Sequence, residues 1–189
     1  MPLPRAWDRL TLVALPTAVS CARAFVGRTL RWWGATHVMD DALLVVSELV
    51  ANAVTATGPR TPHPTWTDVT AQHLIGVQLR LNGMYLYVEV WDSGRETPTA
   101  KNPTPDDEGG RGLLLVQTLA TRWGTYWPPA GGKIVWAELP LPHPPHLTTD
   151  VPPLPHRIPE GVRVAPGKAK QQVETALMQR VLDGLRGLR

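Results

Sequence analysis

The sequence predicts a mixed α/β domain, on three observations. Two long segments, at about 18–33 and 40–57, repeat apolar residues at helical spacing. Two shorter runs, Leu74 to Leu81 and Met84 to Trp91, are rich in Val, Leu and Tyr and flank Asn82-Gly83, a strong short hairpin signal. A hydrophobic share of 43% in 189 residues suffices for one core with additions.

Leu10 to Leu15 is short and apolar, with the Thr and Val content of a strand at a sheet edge. Pro16-Thr17 turns it, Thr17 is placed to cap a helix from Ala18 to Trp33, and Gly34 stands at its C-cap. Arg5 and Arg9 ahead of Ala18-Val19-Ser20-Cys21 imitate a lipoprotein signal. Pro16 interrupts that stretch, however, and the helical pattern runs on past the cysteine through Phe25, Val26 and Leu30. Asp40 is expected to cap the second helix, which runs to Thr57 before Gly58-Pro59. Its apolar residues Leu43, Leu44, Val46, Leu49, Val50, Ala53 and Val54 surround most of the circumference and predict a largely buried helix.

A Pro-rich loop spans 59–72, and the two strands of the hairpin follow. Residues 95–110 hold three prolines, four acids and no apolar period, as a lid or binding loop does. Gly109-Gly110-Arg111-Gly112 then opens a helix through Leu113, Leu114, Val116, Leu119 and Ala120. Thr125–Trp127 and Ile134–Leu139 read as strands around a Pro128–Gly132 turn. Nine prolines in residues 140–166 predict an extended, polyproline-like linker, and Lys168–Leu188 resumes a basic helical pattern. The expected organisation is a domain over 1–140, a Pro-rich linker over 141–166 and an amphipathic helix over 167–189.

Charge is divided in the same way. Residues 1–141 carry 12 basic and 12 acidic side chains, whereas 142–189 carry seven and four. A neutral body argues against direct nucleic-acid binding by the domain, despite the basic tail. A single cysteine, Cys21, excludes a disulfide framework and fits a cytoplasmic location, and no run is long enough to span a membrane.

Three separated pieces carry chemistry. Glu48 and Asn52 are one helical turn apart on one face, where a carboxylate can orient or deprotonate a nucleophile and an amide oxygen can ligate a hard cation such as Mg2+. Asp92-Ser93-Gly94 closes a strand; the carboxylate can accept from an exocyclic amine, and Gly94 lets a flat ring lie against backbone. Gly110-Arg111-Gly112 opens a helix, where backbone N–H groups converge on an anion. No third glycine follows at dinucleotide-fold spacing and no Gly-Lys-Ser/Thr is present there. Each piece is common alone, and their order and spacing are what discriminate.

That order, with Glu48-Leu49-Val50-Ala51-Asn52-Ala53, Val90-Trp91-Asp92-Ser93-Gly94 and Gly109-Gly110-Arg111-Gly112-Leu113, resembles the GHKL ATP-binding superfamily over about residues 10–140. Within it the chain looks like the anti-sigma-factor serine/threonine kinase branch and its short ATP-binding regulators in actinomycetes. The resemblance implies a two-layer α/β sandwich, a mostly antiparallel sheet with helices on one face. It implies ATP and Mg2+ as cofactors. Asn52 would hold the metal and Glu48 would be the general base. Asp92 would bind the adenine amine with Gly94 beneath the ring, and Gly110, Arg111, Gly112 and Leu113 would line the phosphates. The implied partner is a protein: a sigma factor, an anti-anti-sigma-like antagonist or another transcription regulator, with homodimers frequent in the branch. Two positions depart from the pattern. Glu108 stands where kinase members carry a basic residue, and Ile134 follows Lys133 where many relatives have a hydroxyl, which is expected to remove a hydrogen bond near the adenine. Both bear on phosphotransfer more than on ATP binding. Serine/threonine kinase activity and a nucleotide-gated interaction module without transfer are therefore both compatible with the sequence. Histidine-kinase activity is not expected, since no dimerisation helix pair with a phosphoacceptor His lies upstream.

Overall fold

A computed structural model describes residues 6–61, 64–65, 68–98 and 112–143. Its elements are β1 (Ala6–Val13), α1 (Ala18–Trp32), α2 (Met39–Thr57), β2 (Leu74–Asn82), β3 (Tyr85–Asp92), α3 (Gly112–Leu119), β4 (Arg122–Tyr126) and β5 (Lys133–Pro140). The five strands form one sheet in the order β1-β2-β3-β5-β4, and every neighbouring pair is antiparallel. The three helices cover one face, so the two-layer sandwich expected from the sequence is what the chain forms. Beyond 143, the expected linker (141–166) and the whole expected C-terminal helix (167–189) lie outside the described residues, as does most of the 95–110 loop.

Strand alternation sets the two faces. Ile75, Val77, Leu79 and Leu81 of β2 pair with Asp92, Val90, Val88 and Leu86 of β3, and these with Lys133, Val135, Ala137 and Leu139 of β5. Their apolar members form one core with Phe25, Val26 and Leu30 of α1 and Val45, Val46, Leu49 and Val50 of α2. Two polar residues, Asp92 and Lys133, therefore end rows that are otherwise apolar.

α2 is the middle helix, packed on α1, α3 and strands β2, β3 and β5. It begins one residue before Asp40, behind a 3-10 turn at Thr36–Val38, so Asp40 and Asp41 sit in its first turn instead of capping it. Negative charge there still favours the positive end of the helix dipole. Leu44 is exposed, so α2 is less enclosed than its apolar content predicts. Thr17 precedes α1 but makes no side-chain cap; its carbonyl accepts from Cys21 N and Ser20 Oγ instead.

The other boundary differences have local causes. β1 starts at Ala6 because Asp8 and Arg9, which break its apolar pattern, still pair with Leu79 and Gln78. Asp8 faces inward and accepts from Thr29 Oγ1 at 3.0 Å. In the hairpin Asn82 pairs with Tyr85, so the turn residues are Gly83 and Met84, one position beyond the expected pair. Gly83 has φ 60° and, among the described residues, no non-glycine has positive φ, the pattern of a II′ turn with glycine first.

The second turn of structural weight enters β5. Gly132 has φ 77°, and a Cβ there would overlap the Asp92 carbonyl and lie 2.7 Å from the Trp91 ring. Trp91 is fixed in turn by donating Nε1–H to Gly131 O at 3.1 Å. Gly132→Ala is expected to destabilise the fold by about 2–4 kcal/mol, from an unfavourable φ and a clash with backbone. Denaturant titration checks this, and an unchanged midpoint would show that the turn re-forms without loss.

The face opposite the three described helices carries a polar ladder. Glu89 accepts from Gln78 Nε2 at 2.8 Å and from Arg80 Nε at 3.0 Å. Glu138 accepts from Tyr87 OH at 2.5 Å and from Arg122 Nε at 3.1 Å. Arg80 lies over the Tyr87 ring at 4.9 Å. Both glutamates are buried at 1% exposure, yet each has a guanidinium partner, as buried charge requires. Burial pushes Glu89 above the usual carboxylate range, with Arg80 and Gln78 opposing it. Burial also opposes ionisation of Glu138, but Arg122 and Tyr87 prevail and hold it low.

Candidate functional site

One face of α2 carries Glu48, Asn52 and Ala56 at four-residue steps, so the three lie along a line of about 12 Å by the helix rise. Each end of that line meets a glycine from another element. A Cβ on Gly112, the first residue of α3, would overlap Glu48 Oε2 and lie 3.1 Å from its Cδ. A Cβ on Gly94 would lie 3.4 Å from Ala56 Cβ. Two of the three sequence pieces are thereby gathered on a shared helix face with the first residue of α3. Asn52 is exposed between the ends, and Glu48 is half-buried.

At the Gly94 end the geometry is tight. Asp92 is 2% exposed, and its Oδ1 accepts from Gly94 N at 2.7 Å, a turn in which the side chain closes on backbone two residues on. Ser93 Oγ donates to Gln72 O at 2.6 Å and ties this turn to the segment before β2. Lys133 Nζ also donates to Asp92 Oδ1, at 2.7 Å, and Lys133 is itself buried. Burial pushes the Asp92 carboxyl above its ordinary range, while Lys133 and the Gly94 N–H oppose that shift. No donor among the described residues reaches Oδ2, and Oδ2 is not a sealed atom, since no buried side-chain polar atom there lacks a partner. One carboxylate oxygen is thus anchored by two donors, and the other has none among the described residues.

Leu113 is buried in the core, so its side chain anchors α3 and leaves only its backbone to face a ligand. Gly110 and Arg111 lie outside the described residues. The expectation attached to Ile134 is corrected by strand register. Ile134 pairs with Trp91 on the face opposite the described helices and is fully buried there, so a hydroxyl at 134 would point away from Asp92. The residue that shares a face with Asp92 is Lys133, its direct partner across β3 and β5. Pairing register, which a linear motif does not contain, is the signal that finds it.

The chemistry of these groups fits a nucleotide. A carboxylate oxygen that no described donor takes suits an amine, and glycine at 94 keeps the backbone bare beside Asp92 and Lys133, where a Cβ would lie 2.8 Å from Asp92 Oδ1 and 2.7 Å from Lys133 Nζ. The exposed Asn52 amide oxygen is a hard donor of the kind Mg2+ takes together with phosphate oxygens and water, and the Glu48 carboxylate one turn away can orient or deprotonate a nucleophile.

Residues 12–138 match a family model described as the histidine kinase-like ATPase domain. Solved structures also match. One contains the RsbU and RsbW domains of Rv1364c from Mycobacterium tuberculosis, 24% identical, with 73% of this chain and 33% of that chain covered and a TM-score of 0.47. The chain thus spans about a third of the length of that protein. No curated protein matches.

Proposed function

The chain belongs to the family of histidine kinase-like ATPase domains, and on that premise we propose that it is an ATP- and Mg2+-binding regulatory protein acting on a protein partner in transcriptional control. The observation that carries the reading is the convergence on one α2 face: Glu48 against Gly112 at one end, and Ala56 against the Asp92–Gly94 turn at the other. The adenine amine would donate to Asp92, with Gly94 beneath the ring. Gly112, with Gly110, Arg111 and the Leu113 backbone, would face the phosphates, and Asn52 between the two ends would hold Mg2+. Bound Mg2+ would offset charge on the phosphates. Glu48, beside the phosphate end, would position or deprotonate an attacking hydroxyl.

The resemblance to anti-sigma-factor kinases supports a sigma factor or its antagonist as the partner class, and serine/threonine phosphotransfer as the activity. Glu108, where a basic residue is usual in kinases, favours the second reading, a nucleotide-gated interaction module. Calorimetry with ATP and Mg2+ tests binding, and labelled ATP with candidate partners tests transfer. Under the kinase reading Glu48→Ala is expected to keep ATP affinity within about threefold and to lower transfer on the order of a hundredfold or more. ATP binding without transfer by the natural sequence would leave the module reading, and no ATP binding would remove both.

A further inference from the structure

Lys133 is given no role in the family pattern set out above, where it only precedes Ile134, yet among the described residues it is the charged side chain paired with Asp92 at the proposed base site. Its side chain is 5% exposed, and Nζ lies 2.7 Å from Asp92 Oδ1. It also lies 2.7 Å from where a Cβ on Gly94 would stand, so it is packed against the turn that carries Asp92 and Gly94. Gly94 N takes the same oxygen at 2.7 Å. Two donors converge on Oδ1, and none among the described residues reaches Oδ2. The other neighbours of this turn are neutral: Ile75, opposite Asp92 on β2, and Ala56 of α2, beside Gly94. Lys133 is thus the charged group, among the described residues, that faces Asp92.

We propose that Lys133 is the positioning residue of the base site: by holding Asp92 Oδ1 it presents Oδ2 to the ligand and keeps the carboxylate an acceptor. This rests on the reading of Asp92 as the group that accepts from the adenine amine. The chemistry is one of matching donors to acceptors. An exocyclic amine needs a lone pair, and a protonated carboxyl would place a hydrogen against it. Burial drives Asp92 toward protonation, and the Lys133 ammonium opposes it, ahead of the Gly94 N–H.

The test uses the full chain with Lys133→Met and Lys133→Arg, each checked for folding by circular dichroism. ATP affinity is measured by calorimetry between about pH 6 and pH 9, and the Asp92 carboxyl is titrated by carbon-13 NMR without nucleotide. Lys133→Met is expected to weaken ATP binding roughly tenfold at the acid end, with recovery toward the alkaline end as the carboxyl ionises, while the natural sequence stays flat. Its Asp92 titration should move upward, and Lys133→Arg, which keeps the charge, should restore most of both properties. A purely structural lysine would alter stability without making affinity pH-dependent. Natural ATP affinity in Lys133→Met at every pH, or an unmoved Asp92 titration, overturns the role of Lys133 alone. Failure of the natural sequence to bind ATP overturns the base-site reading and this role together.

Discussion

Asp92→Asn is expected to weaken ATP binding by roughly 1.5–3 kcal/mol, the range for a hydrogen bond to a charged group. The fold adds a second consequence. Lys133 is buried against Asp92 at 2.7 Å, so the substitution leaves an ammonium without its counter-charge. Breaking a buried pair by removing one partner costs about 3–5 kcal/mol, and the low end applies here because the asparagine oxygen can still accept from Gly94 and Lys133. The two effects separate experimentally. Denaturant titration without nucleotide reads the stability loss, and calorimetry well below the melting temperature reads the affinity loss. Unchanged affinity in the folded variant would remove Asp92 from the site, whatever happened to stability.

Arg80→Leu is expected to destabilise the domain by about 3 kcal/mol or more at neutral pH, because Glu89 is 1% exposed and would keep only the Gln78 amide as partner. The loss should depend on pH with a definite sign. Burial already raises the Glu89 carboxyl above its unfolded value, against Arg80. A raised carboxyl binds a proton more readily in the folded state, so its contribution to stability is greatest below the unfolded value and falls as pH rises through the folded one. Removing Arg80 widens that window upward. The variant should therefore recover stability on acidification from about pH 8 to pH 5, by protonating Glu89. Equal losses at both pH values would show that Arg80 contributes packing over Tyr87 and little charge compensation.

Much of this fold was legible in the sequence, because its signals are local. The helical period of 18–33 and 40–57 and the turn residues between strands are short-range patterns, and each produced an element within a few residues of expectation. What was not legible depends on pairing across the sheet. Asn82-Gly83 marked a hairpin, but the Asn82–Tyr85 pair moved the turn by one residue. Ile134 drew attention by its place in a linear motif, while the β3–β5 register turned it outward and brought Lys133 to Asp92. The site was legible to the same extent. Glu48, Asn52, Asp92 and Gly94 stood out as residue types at set spacings. That Gly112 would meet Glu48 and that Gly94 would meet Ala56 depends on tertiary packing of α2 against loops far away in the chain.

The line of Glu48, Asn52 and Ala56 along α2 also limits how such a site can change over generations. A point substitution alters one rung and leaves the others aimed as before. Loss or gain of one residue between Glu48 and Ala56 would rotate everything beyond it by about 100°, taking Ala56 off Gly94 while Glu48 stayed at Gly112. Descendants of this chain are free to exchange the chemistry of the rungs, but not the number of residues that separates them.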